Sequence, residues 1–122
     1  MSAPALKHLK LEEKDGVAVI DFVDSGLLFV SGLVQEIGDE LLRILKEHAN
    51  HKLLIDFRSV QYVSSTMLAQ LARLAKEVHG LKGQLRITGL GPILKDTFRI
   101  SHLESLFMIY DDRESALKAF RP

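Results

Sequence analysis

The sequence predicts an α/β layer structure with a partly parallel sheet, and three observations carry that prediction. Short extended runs alternate with amphipathic helical stretches over the last two-thirds of the chain. Leu53-Leu54-Ile55 is apolar with no polar alternation, the pattern of a central strand covered on both faces. Asp15-Gly16 stands between two extended runs and is a strong hairpin signal, because both residues tolerate positive φ.

The elements follow in order. Leu9 to Glu13 and Val17 to Val23 read as the two strands of an opening hairpin. A first helix follows Gly32, with Leu33, Ile37, Leu41, Ile44, Leu45 and His48 on one stripe at steps of three and four. Gln35, Glu36, Asp39, Glu40, Arg43 and Glu47 lie elsewhere. Lys52 to Phe57 is the central strand, with Asp56 near its carboxyl end. A second helix starts around Ser64 to Thr66, whose hydroxyls suit an N-cap. It turns Leu68, Leu71, Ala72, Ala75 and Val78 inward and closes at Gly80 in a left-handed conformation. Gln84 to Thr88 is the next strand. Pro92 at a first helical position, followed by Ile93, Leu94 and Phe98, marks a third helix. Leu106 to Tyr110 is the last strand, and Asp111 with Glu114 three residues on resembles a capping box for a closing helix that buries Ala116, Leu117 and Phe120. Leu54, Leu68, Leu71, Ile87, Phe98 and Leu117 are expected in the core.

The chain has 122 residues, within the span of about 100 to 200 that one domain occupies. No repeat, low-complexity tract or Pro/Gly/Ser-rich linker divides it, so residues 1–122 read as a single domain with an ordered core over about residues 9–120. Hydrophobic residues make up 47% and charged residues 26%, enough apolar material to bury a core and too much for wholesale disorder. Sixteen basic residues balance 16 acidic ones for a formal net charge of +0, which lacks the basic excess that drives phosphate-backbone binding and argues against nucleic acid as a partner. Cysteine is absent, which excludes disulfides, thiolate catalysis and Cys-ligated metal. Met1 to Lys14 has no signal-peptide pattern, and no apolar run approaches the roughly 20 residues of a membrane span. The longest apolar cluster, Leu27 to Val30 with Leu33 and Val34 beyond it, belongs in a core. The cytoplasm is the expected location, with no membrane partner.

Candidate chemistry is sparse. His8, His48, His51, His79 and His102 form no metal-ligand motif, and His48 and His51 fall where an imidazole meets the orphan carbonyls of a helix end; neither a metal nor a cofactor is expected. Gly89-Leu90-Gly91 between a strand and a helix resembles the opening of a dinucleotide fingerprint and makes Gly89 and Gly91 a weak nucleotide or anion candidate. Leu94 replaces the third glycine and Pro92 removes an amide, so a tight strand-to-helix turn is the simpler reading. No nucleophile has a recognisable base and orienting group, which argues against an enzyme. The hydroxyl cluster Ser64-Ser65-Thr66 says more. A cap uses one hydroxyl, leaving two at a helix N-terminus, where free amides and the macrodipole favour a phosphate group.

Around this cluster the sequence resembles the STAS family, the sulphate-transporter and anti-sigma-factor-antagonist domains. The resemblance rests on Leu54-Ile55-Asp56-Phe57-Arg58-Ser59-Val60, Tyr62-Val63-Ser64-Ser65-Thr66-Met67-Leu68, Gly83 to Gly89, and Leu103 to Phe107 before Asp111 to Phe120, and it covers about Lys10 to Phe120. It implies a mixed four- or five-stranded sheet with about four helices packed chiefly on one face, a packing the amphipathic stripes also require. In bacterial members the corresponding helix opens with an Asp-Ser-Ser-Gly-like sequence and one hydroxyl is phosphorylated by a partner kinase that doubles as an anti-sigma factor. Aligned by Leu68, the acceptor falls on Thr66 and the first serine on Ser65, while Ser64 stands where the family has Asp and Met67 where it has Gly. The resemblance therefore implies a module that binds a serine/threonine kinase of the anti-sigma type. Thr66, then Ser65 and Ser64, are the phosphoacceptor candidates, and Ser64, Ser65, Thr66, Met67 and Leu68 form the partner-binding segment. A scaffold that is not phosphorylated, or a homo-oligomeric signalling component, is the alternative.

Overall fold

The computed structural model describes residues 6–23 and 31–120. Strand β1 (Leu9–Lys14) turns through Asp15 and Gly16, both at positive φ (53° and 80°), into β2 (Val17–Phe22), and Lys14 pairs directly with Val17. This is the two-residue turn whose twist matches its strands, as the Asp-Gly pair predicts. Then come α1 (Ser31–Glu47), β3 (Lys52–Asp56), α2 (Ser65–Gly80), β4 (Gln84–Thr88), α3 (Pro92–Ile100), a 3-10 turn (Leu103–Ser105), β5 (Met108–Tyr110) and α4 (Arg113–Ala119). The sheet order is β1-β2-β3-β4-β5, with β1 antiparallel to β2 and all other pairs parallel.

Alternation along the strands separates two cores. Ala18 and Ile20 of β2, Leu53 and Ile55 of β3, and Leu85 and Ile87 of β4 face α1, α2 and α3. Val17, Val19 and Leu54 face the other way and are covered by Ala116 of α4, with Leu117, Phe120 and Tyr110 packed alongside. Among the described helices, α1, α2 and α3 thus lie on one face and α4 on the other. Sandwiched between the two layers, β3 is apolar on successive residues because both of its faces are buried. Phe22, Phe57, Phe98 and Phe107 form a chain of ring contacts 5.2 to 5.9 Å apart, which pins the residue following β3 into the larger core.

Several details depart from the sequence reading. Leu54, Leu71, Ile87 and Phe98 are fully buried, whereas Leu68 and Leu117 are only partly so. The inward stripe of α2 runs Met67, Leu71, Leu74, Val78. Gly80 is an ordinary helical residue. The left-handed position is taken by Lys82 (φ 57°), with Gly83 N donating to Val78 O (2.8 Å) and Lys82 N to His79 O (3.1 Å), the paired bonds of a Schellman end. Helix α4 is capped by Asp112 rather than Asp111: the Asp112 carboxylate accepts from Ser115 N at 2.7 Å. The last strand is shorter than Leu106 to Tyr110, because the 3-10 turn uses the Leu106 amide to close on Leu103 O. Glu40, placed by periodicity on the polar side of α1, is buried because its carboxylate accepts from the backbone amides of Lys7 and His8. Leu27 to Val30 lie outside the described residues; beyond them Val34 is buried and Leu33 partly so. No described helix is long and apolar enough to cross a membrane.

Candidate functional site

Parallel strands that share a direction bring their carboxyl ends, and the loops that leave them, to one edge of the sheet. At that edge lie the 57–63 loop after β3, the start of α2, the 89–91 turn after β4 and the start of α3. Loop 57–63 is anchored at its root. Phe57 N donates to Thr88 O (2.9 Å), Arg58 N to Asp56 Oδ1 (2.9 Å) and Val60 N to Phe57 O (2.8 Å), with Phe57 and Val60 buried beneath.

Ser64 ends this loop as the N-cap of α2, extended at φ −78° and ψ 163°, and its hydroxyl accepts from Met67 N at 3.1 Å. The cap is therefore filled by one hydroxyl. Ser65 and Thr66 are exposed in the first turn, which contains no acidic residue, and neither hydroxyl is hydrogen-bonded among the described residues. Two hydroxyls thus stand beside unpaired helix amides with no carboxylate in the turn to oppose an anion. Met67 behaves differently from the sequence expectation that placed it in a partner-binding segment. It is 0% exposed, because the phase set by Leu71, Leu74 and Val78 turns it into the core. The surface at this end of α2 is made by Ser65, Thr66 and part of Leu68, with Met67 beneath them.

The two glycines of the 89–91 turn are not equivalent. Gly89 is left-handed (φ 80°), and a Cβ there would run into Asp56 Oδ1 and the Arg58 amide. Gly91 is an extended N-cap (φ −75°) where a Cβ would meet nothing. Only Gly89 is demanded by the backbone, and what it packs against is protein, as in a tight turn. Arg58, Val60, Gln61, Gly89, Leu90 and Ile93 help line a shallow groove of about 490 Å³ beside the start of α3. Ile93 in this groove and Tyr62, next to Gln61, are each about half exposed (50% and 49%). Both are large apolar side chains left open near the polar start of α2.

His48 and His51 are engaged just past the end of α1. His51 Nδ1 bonds Leu45 O at 2.8 Å, the helix-end role expected for it, while His48 Nε2 meets Glu13 at 2.9 Å. No group of three or more metal-ligating side chains forms among the described residues.

Sequence reasoning missed a cluster behind the loop. Asp21 and Asp56 are directly paired across β2 and β3, so two carboxylates share one face at adjacent positions. Arg113, the first residue of α4, lies between them. Its Nη2 donates to Asp21 Oδ1 (2.8 Å) and to Asp56 Oδ2 (2.9 Å), and its Nε also reaches Asp56 Oδ2 (3.1 Å). Burial by itself would lower the Arg113 guanidinium, but its hydrogen bond to Asp56 and the charge of Asp21 outweigh this and hold it above its ordinary value. The one signal in the sequence was an arginine at the start of a helix, where the macrodipole disfavours a cation unless carboxylates face it.

Comparison with known proteins agrees with this architecture. BtrV of Bordetella bronchiseptica, whose name assigns it provisionally to the anti-sigma factor antagonists, is 28% identical over 75 residues; the match spans 62% of this chain and 65% of that protein. Among solved structures, an anti-sigma-factor antagonist (STAS) domain protein from Planctomyces limnophilus superposes with a TM-score of 0.80 at 20% identity, over 91% of this chain and 96% of the other. The Bacillus cell fate determinant SpoIIAA, solved in its phosphorylated form, superposes with a TM-score of 0.65 at 18% identity, over 93% and 99%. The family model of the STAS domain matches residues 8–116, nearly the whole described structure, and with the hairpin, the parallel strands and the hydroxyl-opened α2 in that order the chain belongs to the STAS domain family.

Proposed function

We propose that the chain is a regulatory protein-binding module, that it docks on a serine/threonine kinase of the anti-sigma-factor type through the start of α2 and the loops beside it, and that phosphorylation of Thr66, or of Ser65, ends the docking. The observation that carries this reading is the division of labour at the helix start: Ser64 fills the cap, and the hydroxyls of Ser65 and Thr66 remain exposed in a turn free of acidic residues. A phosphate there adds about 1.5 to 2 negative charges, which the first-turn amides and the dipole accommodate, so the fold tolerates it. A partner shaped for neutral hydroxyls instead has to desolvate a dianion without a matching cation, at a cost of several kcal/mol. BtrV, with its antagonist name, and SpoIIAA, solved phosphorylated, support the same reading. Burial of Met67 removes one objection, since the methionine that replaces the family glycine does not project over the hydroxyls.

The alternative is a scaffold that binds protein without being modified, or that assembles with copies of itself. Its support is Ser64, which stands where the family carries Asp and supplies no charge to orient an acceptor. The deciding experiment incubates the protein with an anti-sigma-type kinase and ATP, maps phosphate by mass spectrometry, and compares the kinase affinity of wild type, Thr66→Glu and Thr66→Ala. Phosphate on Thr66 or Ser65, with binding lost in Thr66→Glu and kept in Thr66→Ala, supports the switch. Equal affinity for wild type and Thr66→Glu, with no phosphate on Ser64, Ser65 or Thr66, leaves the scaffold.

A further inference from the structure

The geometry points to Asp56 and Arg113 as positioning residues of the docking loop. In this arrangement the Asp56 carboxylate is shared between two distant parts of the chain, so that the C-terminal helix sets the root of loop 57–63. This rests on the docking reading for its functional meaning, but not for its geometry.

Asp56 is 2% exposed, and its two oxygens have separate tasks. Oδ2 receives Arg113 through Nε and Nη2, while Oδ1 receives the amide of Arg58, the second residue of the loop. Two donors from the planar guanidinium reach the same carboxylate and fix the direction in which it points. Arg113 is itself fixed by a bidentate contact of Nη2 with both oxygens of Asp21, at 2.8 and 3.0 Å. The clamp therefore runs from β2 through the first residue of α4 to the end of β3, and from there to Arg58 N. Gly89 completes it: its missing Cβ leaves the space that Asp56 Oδ1 and the Arg58 backbone occupy.

Remaining charges around the clamp do not replace Arg113. Arg58 Nε lies 3.7 Å from Asp56 Oδ2 on a side chain that is mostly in solvent, and Glu12 is 4.0 Å from Arg113 Nη1 and adds to the acidic side. Without Arg113, Asp21 and the buried Asp56 would face each other across paired strand positions with no interior cation between them. The carboxylate that holds Arg58 N then loses the fork that fixes its direction and can turn toward water, which frees the amide. Arg58 leads through Ser59 to Val63 directly into the Ser64 cap, so a loosened root moves the hydroxyl-bearing start of α2 relative to the groove beside Gly89.

The test is residue-resolved amide hydrogen exchange on the free protein, comparing wild type with Arg113→Ala and Arg113→Lys. Arg113→Ala is expected to speed exchange at Arg58 and through the loop to Ser64 by about tenfold, while amides in the β1–β2 hairpin and in α1 change less than about twofold. Arg113→Lys, which keeps a cation but not the fork, is expected to restore part of the protection. A uniform change across hairpin, α1 and loop would reduce the cluster to a general stabiliser and overturn the proposal, and so would an unchanged loop. Because exchange is read without a partner, a negative result here is distinct from failure of the docking reading, which the kinase experiment reports by itself.

Discussion

Met67 donates its amide to the Ser64 hydroxyl at 3.1 Å while its own side chain is fully enclosed by the core, so the cap and the buried anchor of α2 sit three residues apart on opposite sides of one turn. The cap orients the first turn from outside, and the methionine holds it from inside. Exposure of Ser65 and Thr66 is the consequence of both.

Removing the cap should be felt, and removing its neighbour should not. Ser64→Ala is expected to cost about 0.5 to 2 kcal/mol by loss of the bond to Met67 N. Ser65→Ala, at an exposed position with no internal bond, should stay within about 0.5 kcal/mol of wild type in chemical denaturation.

Met67→Ala should destabilise by about 2 to 5 kcal/mol, the range for emptying a fully buried methionine site. Met67→Gly, which restores the residue usual in the family, adds the loss of helix propensity, about 1 kcal/mol. Denaturant midpoints for the two variants check this order; midpoints equal to wild type would show that the side chain is not part of the core.

Gly89→Ala is expected to destabilise by more than about 1 kcal/mol, since a Cβ is disfavoured at positive φ and here also meets Asp56 Oδ1 and the Arg58 amide. Gly91→Ala, with an ordinary φ and open space, should be close to neutral. Thermal melting of both proteins separates a glycine required by packing from one that is not.

Asp112 gives a pH dependence with a definite sign. The Ser115 amide, then the Ser115 hydroxyl, hold its carboxyl below the ordinary value of 3.8 against the opposing effect of desolvation, with lesser help from the charge of Lys118 and the Glu114 amide. A lowered folded value means the contribution is complete above the unfolded value and is lost as pH falls through the folded one. In melts between about pH 6 and pH 2, the advantage of wild type over Asp112→Ala should be full at the upper end and shrink toward the lower end. An advantage that stays constant across this range would remove the carboxylate from the account of the α4 cap.

Element order and the opening turn were readable because their signals are local: Asp15-Gly16 needs only two residues at positive φ, and Pro92 needs only a first helical position. The phase of α2 was harder. Leu71 and Val78 were read as inward and are buried, but Leu68, Ala72 and Ala75 make a stripe with them as credible as Met67 and Leu74 do, and a rotation of one residue exchanges the two sets; contact with the sheet and α1 decides, and periodicity does not contain it. The hydroxyl site was legible as a helix start with more hydroxyls than a cap requires. The Asp21–Arg113–Asp56 cluster was not, since its members are 57 and 92 residues from the arginine and only the strand register brings them together. Glu40 escaped for the same reason, its partners being backbone amides 32 and 33 residues away.

Sequential strand order has a kinetic consequence. Each strand pairs with the one before it in the chain, so the sheet can grow by addition at a single edge, hairpin first, as the polypeptide leaves the ribosome. The contact between Arg113 and Asp21 cannot obey that order. A sheet paired before α4 docks would hold the adjacent aspartates of β2 and β3 with no Arg113 between them, and would leave the underside of Val17, Val19 and Leu54 open to water. Docking of α4 is thus the step that both covers this underside and brings the guanidinium to the paired aspartates.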